Sequence, residues 1–188
     1  MWVGLLVLWA AERAYLALWL VAVAGLARWR GVRLDRVVYG TGPTIGKGVW
    51  RLGVVPVSGW LSADQGAPIP GEIALVPHVV LGACVVPLAG MARLGAVAAW
   101  LGGVFGVGDE RMGLFHGLAA AGRAAADAPL GTAAGLWCWL AGWNALLAVS
   151  QVAARRGGER TMAVWAALWA AVSLLILGRM LWLDVFGG

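Results

Sequence analysis

The chain has 188 residues and a formal net charge of +5; it is 62% hydrophobic and only 12% charged. Soluble domains carry about 25% charged residues, so a water-facing globular domain is excluded, and the abundance of apolar side chains excludes intrinsic disorder. The 13 Trp and 29 Gly suit membrane helices, where Trp favours the interfaces and Gly is enriched.

About 20 apolar residues cross a bilayer. Spans are predicted over residues 2–27, interrupted only by Glu12-Arg13, and over 73–92, 130–153 and 162–182. The expected fold is an all-α polytopic membrane protein, with 1–188 forming one membrane-embedded domain of four transmembrane helices. The apolar, glycine-rich stretch 94–107 is too short for a span and reads as an interfacial or re-entrant piece. Met1-Trp2 opens directly into apolar sequence, so a cleavable signal with a basic leader is not expected.

Between spans one and two the sequence changes character. Alternating Val/Leu and polar positions at 32–38 and 49–55 predict two short strands, with Gly40, Gly42 and Pro43 supplying the turn. This β-hairpin, about 32–61, is too apolar for water. It is expected to re-enter the membrane against protein, because irregular backbone at membrane depth must be shielded from lipid. A free strand edge is expected near 49–57.

Arg28, Arg30, Arg33, Arg36, Lys47 and Arg51 follow span one, and Arg155, Arg156 and Arg160 separate spans three and four. The positive-inside rule places both loops in the cytoplasm, and Asp109, Glu110, Asp127 and both termini on the far side, as in a bacterial inner (plasma) membrane. No nucleic-acid partner is expected, since the basic residues sit in loops beside spans. The expected partners are membrane lipids and a membrane protein or transmembrane client.

Several residues then form a pattern. Ala27-Arg28, Gly31-Val32, Gly40/Gly42 and Pro56-Val57-Ser58-Gly59-Trp60 follow one another at spacings that resemble the site-2 protease family of intramembrane zinc metalloproteases. Met112-Gly113-Leu114-Phe115, Gly122-Arg123 and Trp143-Asn144-Ala145-Leu146-Leu147 are similar to that family's third-span region. The likeness covers most of the chain and would make it a minimal core without PDZ domains. It implies that the hairpin presents an extended segment, and that Trp50, Val54, Pro56, Gly59, Trp60 and Asn144 contact a substrate or partner.

The catalytic positions depart from the family pattern. Its H-E-x-x-H motif, which sets two zinc-binding His and a general base on one helix face, falls on Trp19-Leu20-Val21-Ala22-Val23. The only histidines, His78 and His116, are 38 positions apart. The family's Leu-Asp-Gly-Gly site falls near Ala154-Arg155-Arg156-Gly157-Gly158, with Arg156 in place of Asp, or on Val152 if Asn144 sets the register. Its Asn-x-x-Pro is broken at Leu147 or Ala148. Without zinc nothing lowers the pKa of water to about 7. The resemblance therefore implies a pseudoprotease with no metal or other cofactor, and Trp19, Leu20, Val23 and Arg156 mark the degenerate sites.

Other polar residues carry open alternatives. Intramembrane charge is a functional hypothesis by default: Glu12 pairs either with Arg13 or with Arg179 on the last span, as a clamp or a proton relay. His78 is a buried imidazole with one hydrogen bond, or a ligand to a metal or pigment. His116 is expected at the outer surface, and Cys84 and Cys138 as small packing residues. Trp139 and Trp143, one helical turn apart, are expected to meet lipid or a partner. Three function classes follow: a non-catalytic binder acting through the hairpin; a structural subunit of a larger membrane complex; and a metalloprotease with unorthodox ligands from His78, His116, Glu12 and the cysteines.

Overall fold

The computed structural model describes residues 2–64, 69–89 and 113–186. The stretch 94–107, and Asp109 and Glu110, lie outside the described residues. The chain is mostly helical. Helix α1, Trp2–Trp29, is followed by strands β1, Leu34–Ile45, and β2, Trp50–Ala63, then by helices α2, Gly71–Ala89, α3, Leu114–Asp127, α4, Pro129–Arg156, and α5, Glu159–Phe186.

Three helices, α1, α4 and α5, have 28 residues each and are long and apolar enough to cross a membrane. At 1.5 Å per residue each is about 42 Å long, beyond the roughly 30 Å of a hydrocarbon core. The predicted second span is a shorter apolar helix, α2, whose 19 residues reach about 28 Å. Three full-length helices and a shorter one thus stand where four spans are expected. Helix α3 is an additional element within the predicted outer segment.

Side-chain meetings fix the arrangement. Trp19 Nε1 donates to Ala74 O at 3.3 Å, and Tyr15 meets His78, so α1 and α2 run antiparallel. Gly71 lies against Val152 and Gly82 against Ala141, so α2 and α4 are antiparallel as well. Trp137 Nε1 donates to Ala11 O at 2.7 Å and joins α4 to α1. At the start of α1, a Cβ on Gly4 would lie 1.8 Å from Gly122 O, so α3 packs backbone to backbone on α1. The ends sort into two groups. Arg28, Arg30, Arg155, Arg156 and Arg160 share one with the start of α2. The starts of α1 and α4, helix α3 and the end of α5 share the other.

The core is small. Leu20, Ala24 and Val37 form one buried cluster, and Val23, Ala27 and Ile73 form another beside it. Helix α5 is predominantly apolar with no single polar face, and Met180 is its one buried residue. A helix of that kind is stable where lipid or another protein solvates it.

Gly31 ends α1 and reverses the chain. Its N–H bonds Arg28 O and the Val32 N–H bonds Ala27 O, with Gly31 at φ 76°. This paired capping pattern requires a left-handed residue, for which Gly carries no Cβ penalty. The strands then run back along α1 instead of into solvent.

Candidate functional site

The hairpin lies along the middle of α1. Tyr39 Oη donates to Arg13 O at 3.4 Å, and Arg13 Nη1 donates to Pro56 O at 2.6 Å. Gly59 faces Leu16 and Leu20 so closely that a Cβ would sit 2.7 Å from Leu20 Cδ1. Arg13 is also paired with Glu12, and their side chains are only 12% and 33% exposed. Of the two pairings open to Glu12, the local one is formed. Arg179 stands exposed on α5. The charged couple therefore ties α1 to the second strand.

The strands are longer than the predicted 32–38 and 49–55, and the sheet curls. Val37, Val38 and Tyr39 stand opposite Leu61, Trp60 and Gly59 on one side and Trp50, Arg51 and Leu52 on the other. The Val37 N–H bonds Val49 O at 2.8 Å. Leu52 is opposite both Tyr39 and Ile45. The edge expected to be free over 49–57 is thus closed at 49–53 and at Val55 by the chain's own first strand. The open stretch lies further on: Gly53 is opposite Thr44 and Val55 opposite Thr41, with Val54 between these pairs, and among the described residues Pro56 and Ser58 have no opposite residue in the register. Val54 is 62% exposed, and Trp60 flanks the stretch on its far side at 46%.

The positions where the resemblance would place a zinc motif are packed with hydrocarbon and rings. Leu20 and Val23 are 1% and 0% exposed. Trp19 stacks on His78, with centroids 5.1 Å apart and planes at 15°. Tyr15 stacks on His78 with centroids 6.0 Å apart and meets Trp137 edge-on at 5.8 Å. The Tyr15 phenol and His78 Nδ1 are 2.6 Å apart, a hydrogen bond. His78 has the environment of a buried imidazole with one hydrogen bond. Among the described residues no three His, Cys, Asp or Glu come together as a metal site.

The remaining expected residues are dispersed. Asn144 Nδ2 donates to Leu140 O, 2.7 Å away in its own helix α4, and the structure does not bring it to the hairpin. Arg156 ends α4, and the following Gly157-Gly158 turn, with Gly158 at φ 84°, leads into α5. This turn accounts for the Gly-Gly pair without a ligand. Trp139 stacks on Trp143, which meets Trp169 of α5 edge-on at 5.4 Å.

One polar contact escaped the sequence reading. Asp184 on α5 accepts from the Phe115 N–H at 2.8 Å and lies 2.9 Å from His116 Nδ1, capping α3 from a distant helix. An acidic residue at an α-helix N-terminus satisfies orphan N–H groups and complements the dipole. Only the spacing of residues nearly 70 apart conceals it; both residue types were visible.

No known protein family, no curated protein and no solved structure matches this chain. Its class rests on its own features: a Trp-rich, mostly helical protein with three helices of membrane-crossing length and a hairpin folded along one of them.

Proposed function

We propose that this chain is a non-catalytic, site-2-protease-like membrane protein that holds a membrane segment or partner protein through its hairpin. The observation that supports this reading is the stretch Pro56–Ser58, between the pairs of Val55 and Gly59, anchored by Arg13 beside the middle of a membrane-length helix. In lipid, unpaired N–H and C=O groups cost several kcal/mol each, so an added strand is favoured there. Packing supports the absence of catalysis, because Trp19, Leu20 and Val23 fill the positions that metal ligands and base would need.

Val54 lies between the paired Gly53 and Val55 at the edge of the open stretch, so Val54→Pro removes a backbone donor there and fixes the local φ. Pull-downs from membranes, with mutant and wild type equally expressed, should show partner recovery reduced several-fold while the mutant stays monodisperse in detergent. The same preparation should contain no stoichiometric zinc. Unchanged recovery refutes the binding reading, and about one zinc per chain, lost in His78→Ala or His116→Ala, restores the enzyme reading.

A second reading, a structural subunit of a larger complex, is favoured by α5, where Met180 alone is buried. A stoichiometric neighbour that co-purifies with Val54→Pro as well as with wild type supports it.

The proposed topology puts the Arg-rich ends in the cytoplasm and α3 outside, across a plasma membrane such as a bacterial inner membrane. With Cys84 and Cys138 replaced by Ala, single cysteines at positions 30 and 157 should label from the cytoplasmic face and one at 116 from the opposite face. Labelling of 30 and 157 from different faces overturns the topology.

A further inference from the structure

A groove of about 640 Å³ separates α1 from the tip of the hairpin. Its floor is apolar, formed by Ala14, Ala17 and Val21 of α1 and Leu52 of β2, and Arg13, Lys47 and Arg51 line it with no carboxylate among the lining residues. Arg13 is already held by Glu12 and Pro56 O. Arg51 donates one N–H to Gly46 O, which leaves most of the five donors of its guanidinium. Two cations over an apolar trough fit an amphiphile with an anionic head.

Size and depth narrow the occupant. A membrane helix about 10 Å across would fill this volume in roughly one and a half turns, so the groove suits a chain thinner than a helix. Trp50 is opposite Val37, which packs on Leu20 and Ala24. Those residues lie about 7 to 14 Å from the Arg-rich end of α1. From there the long stems of Arg51 and Lys47 extend to the headgroup level while their methylenes stay in hydrocarbon. Basic pockets on the cytoplasmic side of membrane proteins bind anionic lipid heads in this way.

We propose that this groove holds one anionic phospholipid, its phosphate on Lys47 and Arg51 and an acyl chain along Ala14, Ala17 and Val21. Lys47 and Arg51 lie outside the open stretch, which the lining meets through Arg13 and Pro56 O, and lipid binding does not depend on a partner strand there.

The test uses the full chain in neutral detergent, titrated with phosphatidylglycerol or phosphatidylcholine of the same acyl chains and read by native mass spectrometry. One phosphatidylglycerol should bind in preference to phosphatidylcholine. Lys47→Gln should weaken it about fivefold, and Lys47→Gln with Arg51→Gln about 30-fold, as expected for roughly equal contributions from two surface cations. Arg156→Gln with Arg160→Gln, and Val54→Pro, should leave the preference intact. Because Arg51 also bonds Gly46 O, Lys47→Gln with Arg51→Lys is the control for tip folding and should bind like Lys47→Gln alone. Equal binding of the two lipids, a preference that survives Lys47→Gln with Arg51→Gln, or a stoichiometric protein segment crosslinked to Leu52 in place of lipid overturns the proposal.

Discussion

His78→Ala should be the most destabilising single replacement among the polar residues of the helical core, lowering stability by about 3 to 4 kcal/mol. Three losses add. The Tyr15 phenol keeps a hydrogen-bonding group in a site where Tyr15 is 4% exposed, and an unsatisfied buried group costs about 1 to 3 kcal/mol. The stacks on Trp19 and Tyr15 disappear, worth about 0.5 to 1.5 kcal/mol each beyond area. A ring-sized void remains between α1 and α2. Tyr15→Phe should be milder, near 1 kcal/mol, because hydrogen bonds between membrane helices average only about 0.6 kcal/mol. His78→Phe keeps the stack and should fall between the two. Denaturant titration of the purified protein, followed by Trp fluorescence, gives these values. A double-mutant cycle of Tyr15→Phe and His78→Phe isolates the hydrogen bond. If His78→Ala costs under 1 kcal/mol, the aromatic cluster does not hold α1 to α2, and His78 is free for another role.

The helices were legible because a membrane-length helix announces itself locally: the runs at 2–27, 130–153 and 162–182 need no knowledge of what they touch. The hairpin was legible for a similar reason, through alternating residues and the Gly40–Pro43 turn. What the sequence withheld depends on long-range register. Nothing local says that Trp50–Leu52 curl back to Val37–Tyr39 or that Val55 meets Thr41, so the sequence suggests a free edge over 49–57 where the open stretch begins at Pro56. Nothing local pairs Tyr15 with His78 or Asp184 with His116. Asn144 shows the converse. A polar residue in an apolar run suggests an interhelical or ligand contact, yet its own helix supplies the acceptor at Leu140. The resemblance was carried largely by Gly residues whose turns the fold explains: Gly31 caps α1, and Gly157-Gly158 leads from α4 to α5. Such residues report backbone shape, which the turns of this fold require by themselves.

Gly53→Val should open the hairpin while sparing the helices. Gly40 and Gly53 face each other where β1 bends, and there is no room between their backbones. A Cβ on Gly53 would lie 2.5 Å from Gly40 C and from Thr41 N, and one on Gly40 would lie 2.8 Å from Gly53 O. Backbone atoms of a paired strand cannot swing aside as a flexible side chain does, so the strands themselves must part. Gly40 adds a second constraint, since its φ of 101° lies in the region that side chains rarely adopt. Forcing such contacts costs about 3 to 5 kcal/mol, enough to undo a two-stranded ribbon that is marginal alone. The damage should stay local, because α2, α3 and α4 meet α1 through Trp19, Gly4 and Trp137 and not through the hairpin. Hydrogen exchange should therefore quicken at Val37–Tyr39 and Gly59–Leu61 in Gly53→Val, with amides of α4 unchanged and the helical circular dichroism intact. Partner recovery should fall at least as far as in Val54→Pro. If Gly53→Val instead retains slow exchange at Val37 and full partner recovery, the close Gly40–Gly53 crossing is not what shapes the hairpin, and the open stretch at Pro56–Ser58 loses its structural basis.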